Sequence, residues 1–259
     1  MKVYTQTWYR GNNYGSVLQA YALQKTILSL GYDCSVLNYR PTKADMWKLK
    51  IINHSLKATI DYKINEFLMK KNGMNQKQAV DNLTLFDAFR REYMRISEPC
   101  STAEEINELC GHDAVFVCGS DQIWNPTLTD LDSMYWLGFS NERKLRFSYA
   151  PSIGVNDVSD EEARMIQKNL NGFDAVSCRE ESGTQLLNRI AGKQVCETVL
   201  DPTLLVDRKI WDQMCVNYES DPYIFVYMLR GTKEQRELVE RFAKSVRLKI
   251  VTMPFMEAE

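Results

Sequence analysis

Histidine is nearly missing from this 259-residue chain: only His54 and His112 occur. Imidazole acid–base chemistry would have to use one of those two, and neither lies in a motif. The seven cysteines (Cys34, Cys100, Cys110, Cys118, Cys178, Cys196 and Cys215) form no CxxC pair, a spacing that argues against a zinc site and against a disulfide framework. They read as buried core thiols of a reducing cytoplasm. No apolar run approaches the roughly 18 residues of a membrane span. The start, Met1-Lys2 followed by the alternating Val3-Tyr4-Thr5-Gln6-Thr7, does not read as a signal peptide. A dominant charge is also lacking, since 32 Lys and Arg face 34 Asp and Glu for a net −2. No global attraction for nucleic acid follows, and none is expected as a partner. With 44% hydrophobic and 25% charged residues, collagen-like, disordered and disulfide-scaffold classes are excluded.

What is present is an alternation of strands and helices. Residues 3–8 read as a strand and 17–30 as a helix, with Leu18, Tyr21, Ala22 and Leu28 at helical spacing and Gly31 as its stop. A strand over 34–39 closes a β-α-β unit, which implies a parallel sheet. The pattern returns with strands at 114–118, 147–151, 175–178 and 195–200, and helices at 160–170 and 180–191. A last unit runs strand 223–229, helix 233–246, strand 248–253. The expected fold is therefore α/β: a doubly wound, mostly parallel, Rossmann-like sheet. Residues 1–208 form the main domain and 221–259 begin a second, with Asp221-Pro222 as the joint.

Residues 43–71 break the pattern. Seven lysines face three acidic residues there, with Met46, Trp47, Ile51, Ile52, Ile60, Phe67 and Leu68 interspersed. Two readings stand: a basic amphipathic surface resting on an anionic membrane, or a helical excursion packed on its own sheet. Either belongs to a helical insertion spanning about 43–112, which includes a helix over 102–109 capped by Ser101 or Thr102.

Doubly wound sheets bind ligands at the carboxyl ends of their strands, and four polar clusters fall there. Gly11-Asn12-Asn13-Tyr14-Gly15-Ser16 is a glycine-containing turn ahead of a helix, whose backbone N–H groups suit an anion or a sugar hydroxyl. Gly119-Ser120-Asp121-Gln122-Ile123-Trp124-Asn125-Pro126 joins a carboxylate, two amides and an aromatic face, the set a carbohydrate site needs; an Asp/Asn turn over a core tryptophan is the bland alternative. Ser177-Cys178-Arg179-Glu180-Glu181 places Arg179 at a helix N-terminus, the end that prefers anions, so a bound carboxylate or phosphate competes with a simple pairing to Glu180 or Glu181. Asp201, in Val199-Leu200-Asp201-Pro202-Thr203, closes a strand and can cap the next turn.

These segments, with Ser148-Tyr149-Ala150-Pro151-Ser152-Ile153-Gly154, occur in an order that resembles the polysaccharide pyruvyl transferase family over residues 3 to about 206. The resemblance implies an architecture like the two-domain glycosyltransferases. It implies a cytoplasmic enzyme, working at the inner face of the membrane, that moves the enolpyruvyl unit of phosphoenolpyruvate onto a sugar as a pyruvate ketal for cell-surface polysaccharide. Phosphoenolpyruvate is the donor substrate, with no metal and no other cofactor. The acceptor is a sugar or lipid-linked glycan; peripheral membrane contact and self-association complete the partner expectations. Ketal formation needs a proton moved at the sugar hydroxyl and cations on the donor. Asp121 and Arg179 are the expected catalytic residues, Asp121 for proton or hydroxyl work and Arg179 for the donor. Asn13, Gly15, Ser120, Gln122, Trp124 and Asn125 are expected to bind substrate around one cleft. A nucleotide-sugar glycosyltransferase and a non-catalytic sugar-binding remnant remain as alternatives. Family members carry a complete second domain with an Arg-His stretch, and no such pair occurs here. The expectation is an incomplete second domain and a chain that is inactive alone.

Overall fold

The structure, a computed structural model, describes residues 1–11, 13–41, 76–140, 144–215, 221–228 and 231–252. The basic stretch at 43–71, and with it the choice between membrane face and helical excursion, lies outside the described residues. The chain divides into two compact units, Met1–Asp207 and Arg208–Glu259.

In the first unit the order is β1 (Lys2–Gln6), α1 (Tyr14–Ser29), β2 (Asp33–Tyr39), α2 (Gln76–Tyr93), β3 (Ile96–Cys100), α3 (Ala103–Cys110) and β4 (Ala114–Cys118). There follow the short α4 (Pro126–Thr129), β5 (Arg146–Ser148), α5 (Asp160–Leu170), β6 (Val176–Cys178), α6 (Glu181–Ala191) and β7 (Cys196–Thr198). Five strands make an all-parallel sheet in the order β3-β2-β1-β4-β5. The α/β, Rossmann-like class expected from the alternation is what the chain adopts.

Side chains alternate across each strand, so neighbouring residues face opposite sides of the sheet. Val3, Cys34 and Val115 pack with Leu23 and Ile27 of α1 on one face. Tyr4, Leu37 and Phe116 pack with Ile106 of α3 on the other. Both faces are thus covered, which explains why β4 reads Ala-Val-Phe-Val-Cys with no polar position. Strand order reverses between β1 and β4, and that is where a doubly wound sheet opens a crevice.

The sheet continues past β5 by different means. Ladder contact between β5 and β6 shrinks to a bridge between Phe147 and Ala175. Two buried serines take over. Ser148 Oγ donates to the Ser177 carbonyl (2.9 Å), and Ser177 Oγ donates to the Ser148 carbonyl (2.8 Å). The Ser177 and Ala150 amides donate to the hydroxyls of Ser148 and Ser177. β6 then pairs with β7 in parallel.

One correction concerns the expected helical insertion at 43–112. Within it, residues 96–100 form β3, an edge strand of the main sheet paired to β2. Its sequence, Ile-Ser-Glu-Pro-Cys, hides the strand because Pro99 has no N–H and the pattern is polar. The register shifts at this point, and Ser97 Oγ accepts from the Asn38 N–H (3.0 Å), filling a place the ladder leaves open. Helix ends follow their chemistry: Thr102 caps α3, Ser159 and Glu162 form a capping box on α5, and Gly192 ends α6 at φ 69°.

The second unit has α7 (Arg208–Met214), β8 (Tyr223–Val226), α8 (Lys233–Val246) and β9 (Lys249–Thr252). β8 and β9 pair in parallel, and Thr232 and Gln235 form a capping box on α8.

All seven cysteines are free thiols. Burial pushes the thiols of Cys34, Cys110 and Cys196 up to about 12, those of Cys100 and Cys178 to about 11, and that of Cys118 well above the ordinary value. Such groups stay protonated and poorly nucleophilic. Cys215 is exposed. A chromogenic disulfide reagent is expected to titrate Cys215 rapidly in the native protein, the half-buried Cys110 more slowly, and the five buried thiols only in denaturant. Rapid modification of several thiols without denaturant would contradict this packing.

Candidate functional site

The strand ends at the β1/β4 reversal are tied to one another by backbone hydrogen bonds. The Gly119 N–H donates to the Gln6 carbonyl (3.0 Å), that of Ser152 to Asp121 (2.7 Å), that of Arg179 to Pro151 (3.1 Å) and that of Val199 to Cys178 (3.0 Å). Each loop is thereby fixed to its neighbour, and side chains from four strand ends meet. They line a cavity of about 220 Å³: Asn13, Gly15, Ser16 and Gln19 from the start of α1, Asp121 after β4, Arg179 after β6, and Asp201 with Thr203 after β7.

Gln19 organises the floor of this cavity. Its Nε2 donates to Thr7 Oγ1 (3.0 Å) and to the carbonyls of Trp8 (2.9 Å) and Ser16 (2.8 Å). Its Oε1 accepts from the Ser120 N–H (2.9 Å). One buried amide therefore joins the exits of β1 and β4 to α1. Thr7 Oγ1 donates to the Ser120 carbonyl (2.9 Å) and Ser120 Oγ to that of Ala150 (2.6 Å), so every polar group of Ser120 is committed. The Gly119-Ser120 peptide bond is cis.

Asp121 follows with φ 68°, in the left-handed region that Asp and Asn tolerate best. Its Oδ1 accepts from the Gln122 N–H (2.8 Å) and its Oδ2 from the Ser16 hydroxyl (2.5 Å). Each oxygen keeps acceptor capacity beyond its one donor, and Asp121 lines the cavity. Asn13 caps α1 by accepting from the Ser16 N–H (3.2 Å), so cap and hydroxyl converge on the same turn.

Arg179 is held from two sides. Nε donates to Glu180 Oε1 (3.0 Å) and Nη1 to Asp201 Oδ2 (3.1 Å). Burial works against its charge, but the hydrogen bonds and charges of Glu180 and Asp201 outweigh it and hold its pKa above the ordinary value. Asp201 uses its other oxygen to cap the next turn, accepting from the Thr203 N–H (2.9 Å) and hydroxyl (2.7 Å).

Asn13, Gly15, Asp121 and Arg179 thus share one cavity. The other four expected substrate-binding residues do not line it. Trp124 is fully buried, stacked on Trp136 at 4.1 Å between ring centroids, with Phe173 at its edge and Nε1 donating to the Tyr135 carbonyl. A ring with no exposed surface cannot offer a face to a sugar, so the sugar-platform expectation is corrected: Trp124 is a core residue. Ser120 is completely buried, its hydrogen bonds spent on the scaffold. Asn125 caps α4, accepting from the Thr127 N–H and hydroxyl, and donates to Gln122 Oε1 (2.8 Å), so this pair stabilises the loop beneath Asp121. Ser16, Gln19, Asp201 and Thr203 were not among the expected site residues. Ser16, Asp201 and Thr203 lie in the polar strand-end clusters, the signal by which they could have been found.

Among the described residues no three His, Cys, Asp or Glu side chains stand close enough to share a metal ion. No described helix is long and apolar enough to cross a membrane. A family model described as polysaccharide pyruvyl transferase matches residues 13–257. No curated protein and no solved structure matches the chain.

Proposed function

The chain belongs to the polysaccharide pyruvyl transferase family, and we propose that it transfers the pyruvyl unit of phosphoenolpyruvate to two hydroxyls of a glycan, forming a ketal. The observation that carries the proposal is the meeting of the Asp121 carboxylate and the Arg179 guanidinium in one cavity at the sheet's reversal point. In the reaction two sugar oxygens bond to C2 of the donor. One hydroxyl proton is balanced by the proton that turns the donor methylene into a methyl group, and the second leaves with the phosphate.

Asp121 takes the acceptor side. Its oxygens, oriented by Ser16 and the Gln122 N–H, accept from a sugar hydroxyl and draw off its proton as the C–O bond forms. Arg179 takes the donor side. Glu180 and Asp201 fix the plane of the guanidinium through Nε and Nη1, and Nη2 carries no hydrogen bond among the described residues, which supports assigning it to a carboxylate or phosphate oxygen of the donor. Asn13 and Thr203 add polar groups at the rim. We place the reaction in the reducing cytoplasm at the inner membrane face, where seven free thiols and a glycan acceptor under assembly are compatible.

The test is to incubate the protein with phosphoenolpyruvate and a panel of glycans, following phosphate release and the ketal methyl signal by NMR. Transfer is expected, in place of the inactivity expected from the sequence, because the proposed acceptor-side and donor-side groups all lie within Met1–Asp207. Arg179→Ala should slow it roughly ten- to a hundredfold, the loss of a charge-assisted contact to an anion. Phosphate release without ketal, turnover of nucleotide sugars instead, or an Arg179→Ala variant at full rate overturns the assignment.

A further inference from the structure

A guanidinium withdrawn from water needs acceptors for its N–H groups, and where it finds them says what it holds. Arg90, on the last turns of α2, is only 9% exposed. Its Nε donates to the carbonyl of Tyr9 (3.0 Å), and its Nη2 donates to those of Arg10 (2.8 Å) and Gly11 (2.6 Å). Nη1 pairs with Asp87 (2.7 Å), one turn back on the same helix, and the group lies over the Phe86 ring at 5.7 Å. Three successive backbone carbonyls turn toward one planar fork, which fixes the conformation of the segment leaving β1. From the opposite side the Tyr9 hydroxyl donates to Asn38 Oδ1 (3.0 Å). α2 is itself seated on α1, with Phe86 against Tyr14 at 4.8 Å and Phe89 against Tyr21 at 5.7 Å.

That segment leads to Asn13, the cap of α1, and to Ser16, the donor to Asp121. We propose that Arg90 is a positioning residue for the cavity: without lining it, Arg90 sets the 9–11 loop and through it the Asn13–Ser16 turn against Asp121. Lysine cannot replace it, because an ammonium group is a point donor and cannot span three carbonyls with a rigid plane. The consequence for catalysis rests on the acceptor reading given above; the positioning does not.

Two measurements separate these. Hydrogen exchange in Arg90→Lys and Arg90→Gln, followed by mass spectrometry, is expected to speed up by about tenfold or more in peptides covering 9–19, with α5, α6 and β4 unchanged. In steady-state transfer assays, the same variants should raise the KM for the glycan about tenfold, with kcat within about threefold and Arg90→Lys no better than Arg90→Gln. A merely structural role would lower the active fraction and leave KM alone. Unchanged exchange over 9–19, folded variants with wild-type KM, or unfolding of both variants overturns the proposal. If the wild-type protein does not turn over phosphoenolpyruvate, the functional reading fails, and the exchange arm alone decides whether Arg90 positions the turn.

Discussion

Gly119→Ala will lower the unfolding temperature of the first unit by about 10 °C, the equivalent of roughly 4 kcal/mol. A Cβ on Gly119 would stand 2.0 Å from the Tyr149 carbonyl oxygen, 2.9 Å from its carbon and 3.2 Å from Pro151 Cδ. The first two are backbone atoms, and they have nowhere to go. The Tyr149 N–H is bonded to the Cys118 carbonyl (2.8 Å), and the next amide, Ala150, is bonded to the buried Ser177 hydroxyl. Gly119 itself is bonded to Gln6 and sits at φ 121°, a region that L side chains avoid. Overpacking and backbone strain therefore add rather than trade off. Gly192→Ala is the matched control. Gly192 has φ 69° but nothing within 4 Å of the added carbon, so it should cost only about 1–2 kcal/mol. Urea or thermal unfolding of the pair compares a positive-φ glycine crowded by backbone with one in open space. Equal losses would mean that the close approach of the β4 and β5 exits contributes nothing.

The same close approach shows why the sequence reveals some of this protein and conceals the rest. Strands β4 and β6, helices α5, α6 and α8, and the caps at Thr102, Ser159, Asp201 and Gly192 are written in local pattern, which short-range physics reads directly. β3 is not, because its ladder is completed by a serine hydroxyl on a proline-containing edge. Trp124 misleads for a related reason. It stands between Asp121 and Asn125 in a polar string, and only the tertiary stack on Trp136 takes it into the core. Arg90 carries no motif at all, since its partners are carbonyls about eighty positions away. Residues that touch the cavity lie at strand ends and can be guessed from topology. Residues that hold the cavity in shape, such as Gln19, look like ordinary helix positions until their hydrogen bonds are seen.

Asp121→Asn should reduce pyruvyl transfer about a hundredfold or more, the scale of a lost acid–base group, while the protein stays folded. The backbone argument comes first. Asparagine is as tolerant of φ 68° as aspartate, so the substitution adds no strain where alanine would. The hydrogen bonds can also be kept. The amide oxygen takes the Gln122 N–H, and the amide nitrogen donates to a Ser16 hydroxyl that has turned to accept. What disappears is the negative charge and the ability to take a proton from the sugar. The loss should therefore fall mainly on kcat, with the glycan's KM changed by less than about threefold, because an amide still bonds a hydroxyl in the ground state. This signature is the reverse of that expected for Arg90, where KM moves and kcat holds, so the two sets of variants divide acceptor placement from acceptor chemistry. Thermal unfolding within a few degrees of wild type is the control. An Asp121→Asn protein that transfers pyruvate at near-normal rate would remove Asp121 from the chemistry and leave it as a turn residue braced by Ser16.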